Sequence, residues 1–110
     1  MDARAMSRMA RFVGAAAGAA GLDPADIMAG PGSVGILGTG VDVAWRGDAG
    51  GGGGWELHRT EHMVNVLSGE QRTVTETVGS FAPDSLFQAA RAAVLLVIQR
   101  RIEVALSSLS

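Results

Sequence analysis

The most constraining feature of this sequence is an unbroken apolar run at 92–98, inside a segment predicted to be a long helix. Asp84 is placed to cap a helix over 85–107, and this helix carries a single polar stripe. The stripe consists of Gln88, Arg91, Gln99, Glu103 and Ser107, and Leu95 interrupts it. A helix that is apolar on every side has more apolar surface than one small sheet covers. We therefore expect this helix to contact a second surface beyond its own sheet.

The composition is typical of one folded domain with a core of small aliphatic side chains. The chain has 110 residues, of which 47% are hydrophobic and 18% charged, a balance unlike that of a disordered tail. It has 16 glycines but only two Trp, three Phe and no Tyr, so few large side chains are available to fill space. We predict a single α+β domain over 1–110.

The residue types that are missing exclude several chemistries. Without Cys there is no thiol nucleophile, disulfide or thiolate metal site. All nine basic residues are Arg, so no lysine is present to form a Schiff base or a P-loop. We predict no catalytic residue and no cofactor.

The order of elements is predicted to be α-β-β-β-α. Asp2 is placed to cap a first helix that runs to Ala20 and ends at Gly21. Asp23 and Pro24 then favour a short helical turn to about Met28.

Three strands are expected between the helices. The segment 34–46 alternates like a strand in its second half, and 55–67 and 73–78 are interpreted as a hairpin around the turn residues 68–70. Residues 47–54 include five consecutive glycines and are predicted to form a flexible loop. The resulting fold is a three-stranded antiparallel meander flanked by an N-terminal helix and a long C-terminal helix.

One short motif has a chemical meaning. The run His58-Arg59-Thr60-Glu61-His62 resembles the HxxEH signature of inverzincin-type zinc peptidases. On a helix this spacing would place His58 and His62 on one zinc ion, with Glu61 as the general base. On a strand the two imidazoles would lie ~13 Å apart, too far for one metal. We favour a strand, and keep a zinc-dependent hydrolase as an alternative function.

Nucleic-acid binding is a second alternative, carried by the arginines. Arg4, Arg8 and Arg11 lie along one face of the first helix, and Arg100 and Arg101 form a smaller cluster. A dimer could present these guanidinium groups to phosphates. The formal net charge of -2 and the lack of interleaved aromatic residues favour a solvated helix face instead.

The N-terminal segment raises the question of location. Three arginines precede the small-residue stretch 12–20, an order that superficially resembles a secretory signal. Alanine and glycine give that stretch little hydrophobic drive, and no run reaches the ~18 apolar residues that span a bilayer. We expect a soluble cytoplasmic protein with no membrane segment.

The surplus apolar surface of the last helix leads to the functional hypothesis. We predict a small non-enzymatic interaction or assembly protein: a homo-oligomeric adaptor, a phage-type structural component or a regulator. A homodimer or another protein partner is expected to bind through the C-terminal helix. The predicted interface residues are Val94, Leu95, Val97, Ile98, Ile102 and Leu106.

Overall fold

Two long helices and a five-stranded antiparallel sheet form the fold in the computed structural model, which describes residues 3–47 and 53–109. Each strand pairs with the next one along the chain, so the sheet order is β1-β2-β3-β4-β5. The elements are α1 (Ala3–Ala19), a 3-10 turn (Pro24–Asp26), β1 (Ile27–Ala29), β2 (Ser33–Ile36), β3 (Val41–Gly47), β4 (Gly53–Val64), β5 (Gln71–Phe81) and α2 (Leu86–Ser107).

Both helices pack against the same sheet, α1 over β1 and β2, and α2 over β3, β4 and β5. The two helices also contact each other. Their buried faces are built from Met9 and Val13 of α1 and from small residues such as Ala89 and Ala93 of α2. The buried side chains that the sheet contributes to this core are Val34, Ile36, Val41, Val43, Trp55 and Leu57.

The α+β class and the two terminal helices are confirmed, but the prediction of three strands is wrong. The segment 34–46 is divided into β2 and β3 by a turn at Gly38-Thr39-Gly40. Gly38 and Gly40 have φ of 77° and 73°, in the left-handed region that glycine adopts without strain. The Thr39 hydroxyl donates to the carbonyl of Ile36 at 2.6 Å and holds the turn closed.

A short edge strand replaces the end of the predicted helical turn. Asp23 caps the turn as expected, since its side chain accepts a hydrogen bond from the Ala25 amide at 2.9 Å. The turn ends at Asp26, and β1 then pairs with β2 from Ile27 opposite Ile36. Sequence periodicity gave no signal here, because a three-residue strand is shorter than the roughly four to eight residues over which strand alternation is recognised.

The glycine-rich segment 47–54, predicted to be a loop, belongs in part to strands. Gly47 belongs to β3, and Gly53 and Gly54 belong to β4; the remainder of the predicted loop, 48–52, lies outside the described residues. A Cβ on Gly54 would lie 2.5 Å from the carbonyl oxygen of Phe81, so glycine is needed there for the close approach of β5. Strand pairing therefore extends into the predicted loop.

The C-terminal helix is confirmed from Leu86 to Ser107, but its predicted cap is wrong. Ser85, with φ of -87° and ψ of 48°, is the N-cap residue, and its side chain makes no capping hydrogen bond. Asp84 lies one residue too early, because the chain bends before Ser85 with the Ser85 amide donating to the carbonyl of Ala82 at 3.0 Å.

Two glycine substitutions test the turn that splits the strands. Gly40→Ala should lower the free energy of unfolding by at least about 1–2 kcal/mol, because alanine is strained at positive φ and its Cβ would overlap the carbonyl of Thr60. Gly14→Ala is the control: it lies in α1 with no atom within 4 Å of the added Cβ, and should raise stability by about 0.5–1 kcal/mol. Urea denaturation measures both, and equal effects of the two substitutions would contradict the assignment.

Candidate functional site

The residues of the HxxEH run lie on β4, which confirms the predicted strand and separates them. His58 and His62 share the sheet face opposite the helices. His58 Nδ1 lies 3.5 Å from Asp42 Oδ2 and its Nε2 lies 3.4 Å from Glu56 Oε1. His62 Nδ1 lies 3.2 Å from the Thr73 hydroxyl.

Glu61, the proposed general base, faces the other side of the sheet. Its carboxylate lies 3.7 Å from Arg59 Nε and 3.6 Å from a guanidinium nitrogen of Arg100 of α2. It is therefore held by arginines, on the helix side, away from both imidazoles. Over 3–47 and 53–109 no group of three or more His, Asp or Glu side chains is arranged to hold a metal ion.

This separation predicts how the protein responds to zinc. Added Zn²⁺ should bind no more tightly to the wild type than to His62→Ala, because the two imidazoles on a strand are ~13 Å apart. Isothermal titration calorimetry on both proteins measures this. A one-to-one site in the wild type that His62→Ala removes would restore the hydrolase alternative.

The six predicted interface residues of α2 divide into two groups. Val94 and Val97 are buried within the single chain, at 4% and 1% exposed, so they offer little surface to a partner in this conformation. Leu95, Ile102 and Leu106 are 55%, 53% and 62% exposed, and Ile98 is half-buried. These four recur at intervals of three, four and four, which places them on one stripe of the helix.

The N-terminal part of that stripe forms one wall of an apolar groove between α1 and α2. The groove has a volume of about 570 Å³. Phe12 lines it from α1, and Phe87, Leu95 and Ile98 line it from α2. The other described residues that line it are mostly alanine, and Arg91 is the one charged residue among them: Ala15, Ala16, Ala19, Ala20, Ala90, Arg91 and Val94.

Sequence reasoning missed the contribution of Phe12 and Phe87 to this surface. Phe12 lies outside the buried face of α1, which turns Met6, Met9, Val13 and Ala17 to the core. Phe87 is 60% exposed, and Arg91 lies over its ring at 5.7 Å from the centroid. The available signal was the run of small residues at 14–20, which allows close approach of another element.

Charge is distributed unevenly between the helices and the rest of the chain. Together α1 and α2 carry six arginines and one glutamate, a formal excess of five positive charges. All other residues carry three arginines and ten acidic residues, an excess of seven negative charges. Arg8 and Arg11 lie one turn before Phe12 and Ala15, so they flank the groove on its α1 side.

Comparison with known proteins identifies no relative: the chain matches no protein-family model, no curated protein and no solved structure. Among the helices described, none combines the length and the apolar character that crossing a membrane requires.

Proposed function

We propose that this protein is a non-enzymatic interaction protein that binds an acidic amphipathic helix of a partner protein in the groove between α1 and α2. The observation that carries the proposal is an almost wholly apolar groove flanked by arginines, on a helix layer with a formal excess of five positive charges.

The shape of the groove supports a helix as the occupant. Helices that dock in grooves present apolar anchors at i, i+3, i+4 and i+7. Phe12 and Phe87 provide large contact areas, and the alanines between them leave room for leucine-sized anchors. Ile102 and Leu106 extend the apolar stripe of α2 beyond the groove and lengthen the surface for a partner.

The charge of the helix layer supports an acidic partner over a second copy of the chain at this surface. Two copies meeting face to face would bring two positive helix layers together, and like charges oppose association. Acidic side chains that border the apolar face of a bound helix would instead lie near Arg8, Arg11 and Arg91. Nucleic acid is less well supported, since Arg91 is the one side chain among the described lining residues that offers hydrogen-bond donors to bases.

A pair of designed peptides tests the proposal. One is an amphipathic helix with leucines at i, i+3, i+4 and i+7 and glutamates on its other face; the second carries lysines in place of the glutamates. The acidic peptide should bind with an affinity that falls as salt rises, because its charges are screened, and the basic peptide should not bind. Fluorescence anisotropy measures both.

Two substitutions locate the binding surface. Leu95→Gln, in the groove wall, should weaken binding of the acidic peptide at least about fivefold, as expected for an interface anchor. Val66→Gln, at an equally apolar position 92% exposed in the β4–β5 turn, is the control and should leave the affinity unchanged. Equal affinity for both peptides, no effect of Leu95→Gln, or tighter binding to duplex DNA than to the acidic peptide would each contradict the proposal.

A further inference from the structure

The far edge of β5 is long, exposed and unpaired. β5 is the last strand of the sheet, and in the part of the chain described here only β4 pairs with it. Nine of its eleven residues are exposed. Its sequence is rich in Thr and Val, which favour extended backbone. An exposed edge of this kind presents a row of backbone donors and acceptors to another strand.

The regular part of this edge is symmetric about Val74. The β4–β5 register shifts between Leu57 and His58, which leaves Val78 as the extra residue of a bulge. Regular pairing therefore runs from Gln71 to Thr77, and Val74 is its central residue. A second copy of β5, antiparallel and related by a two-fold axis at Val74, would pair over this whole stretch.

Charge selects the same register. With the axis at Val74, Arg72 lies opposite Glu76 of the second copy, and this opposite-charge pair occurs twice. An axis at Arg72 or at Glu76 would place like charges opposite each other. An axis at Thr75 would place both charged side chains opposite valines, and an axis at Thr73 would place Arg72 opposite Val74 and Glu76 opposite Glu70 of the second copy. Only the Val74 register pairs every charge with its opposite.

The ion pairs within one chain leave the side chains of Arg72 and Glu76 able to contact a second copy. A ladder of alternating charges lies on the helix side of the sheet and ends at Glu76. In it, Arg100 contacts Glu61, and Arg59 contacts both Glu61 and Glu76. The Glu76 side chain is still half-exposed, at 52%. Arg72 makes no ion pair with any residue in 3–47 or 53–109, and it would extend the ladder across the edge.

From this we infer that the protein forms a two-fold symmetric dimer by antiparallel pairing of the β5 edges, with Val74 on the axis and Arg72 opposite Glu76 of the second copy. The two five-stranded sheets become continuous, and both helix layers lie on the same side of the joined sheet. The groove between α1 and α2 takes no part in this contact, so the inference is independent of the proposed function.

Charge reversal tests the register. Arg72→Glu and Glu76→Arg each place like charges at both pairs and should raise the dimer dissociation constant at least about tenfold in sedimentation experiments. Mixing the two variants should restore a dimer, because every opposing pair in the mixed species is again of opposite charge. The double variant Arg72→Glu/Glu76→Arg should also dimerise, and circular dichroism of each variant checks that it folds.

A disulfide tests the position of the axis. The chain has no cysteine, so Val74→Cys introduces a single thiol per chain. Cross-strand β-carbons lie about 4.5–5.5 Å apart, within reach of a small movement to disulfide geometry. Val74→Cys should form a covalent dimer on mild oxidation, and much faster than the control Val66→Cys. Adding Arg72→Glu to Val74→Cys should slow the reaction.

The outcomes separate this inference from the proposed function. A wild type that stays monomeric at about 1 mM, single reversals that fail to pair with each other, or equal oxidation rates at positions 74 and 66 would overturn the β5 dimer. A dimer lost on Leu95→Gln but retained in Arg72→Glu would also overturn it, and would place self-association at the helix layer. Failure of peptide binding leaves the β5 dimer standing.

Discussion

The close seating of α2 on the sheet is the contact on which the rest of the structure depends. Ala89, Ala90 and Ala93 are buried with no more than 2% exposure, so at these positions α2 presents only methyl groups to its neighbours. Trp55 secures the beginning of the contact, since its buried indole donates to the carbonyl of Pro83 at 3.1 Å, just before α2. Because alanines occupy much of the buried face of α2, several of its larger apolar residues lie on the outer surface. Two of these, Phe87 and Leu95, line the apolar groove.

The sequence was a good guide where a pattern extended over many residues, and a poor one where a single backbone conformation decided the outcome. The two helices and the β4–β5 hairpin follow from long periodic or β-branched segments, and both were predicted. The division at Gly38 and Gly40 depends on two positive φ angles, which a glycine permits but does not require. In the same way, Gly53 and Gly54 were predicted as loop because composition does not distinguish glycine for flexibility from glycine for close approach.

The candidate surfaces show the same limit. The apolar surplus of α2 was visible in the run 92–98, but periodicity alone did not reveal which residues of the run are buried within the single chain, so Val94 and Val97 were grouped with the exposed Leu95. The groove also needs α1, whose position beside α2 is a tertiary fact. The β5 edge was not predicted from the sequence, because only the order of the sheet shows that this strand is the last one. Interaction surfaces here are set by neighbours that are distant in sequence.

The two tryptophans have a consequence for observing this molecule. Trp45 and Trp55 are cross-strand partners, with ring centroids 5.0 Å apart in an edge-to-face arrangement, and the chain has no tyrosine. Its near-ultraviolet emission therefore comes from a single corner of the sheet. Along β4 that corner is about 20 Å from the residue that pairs with Val74, at the usual rise per strand residue. Intrinsic fluorescence thus monitors the integrity of the folded sheet while remaining silent to events at the distant end of its outer strand.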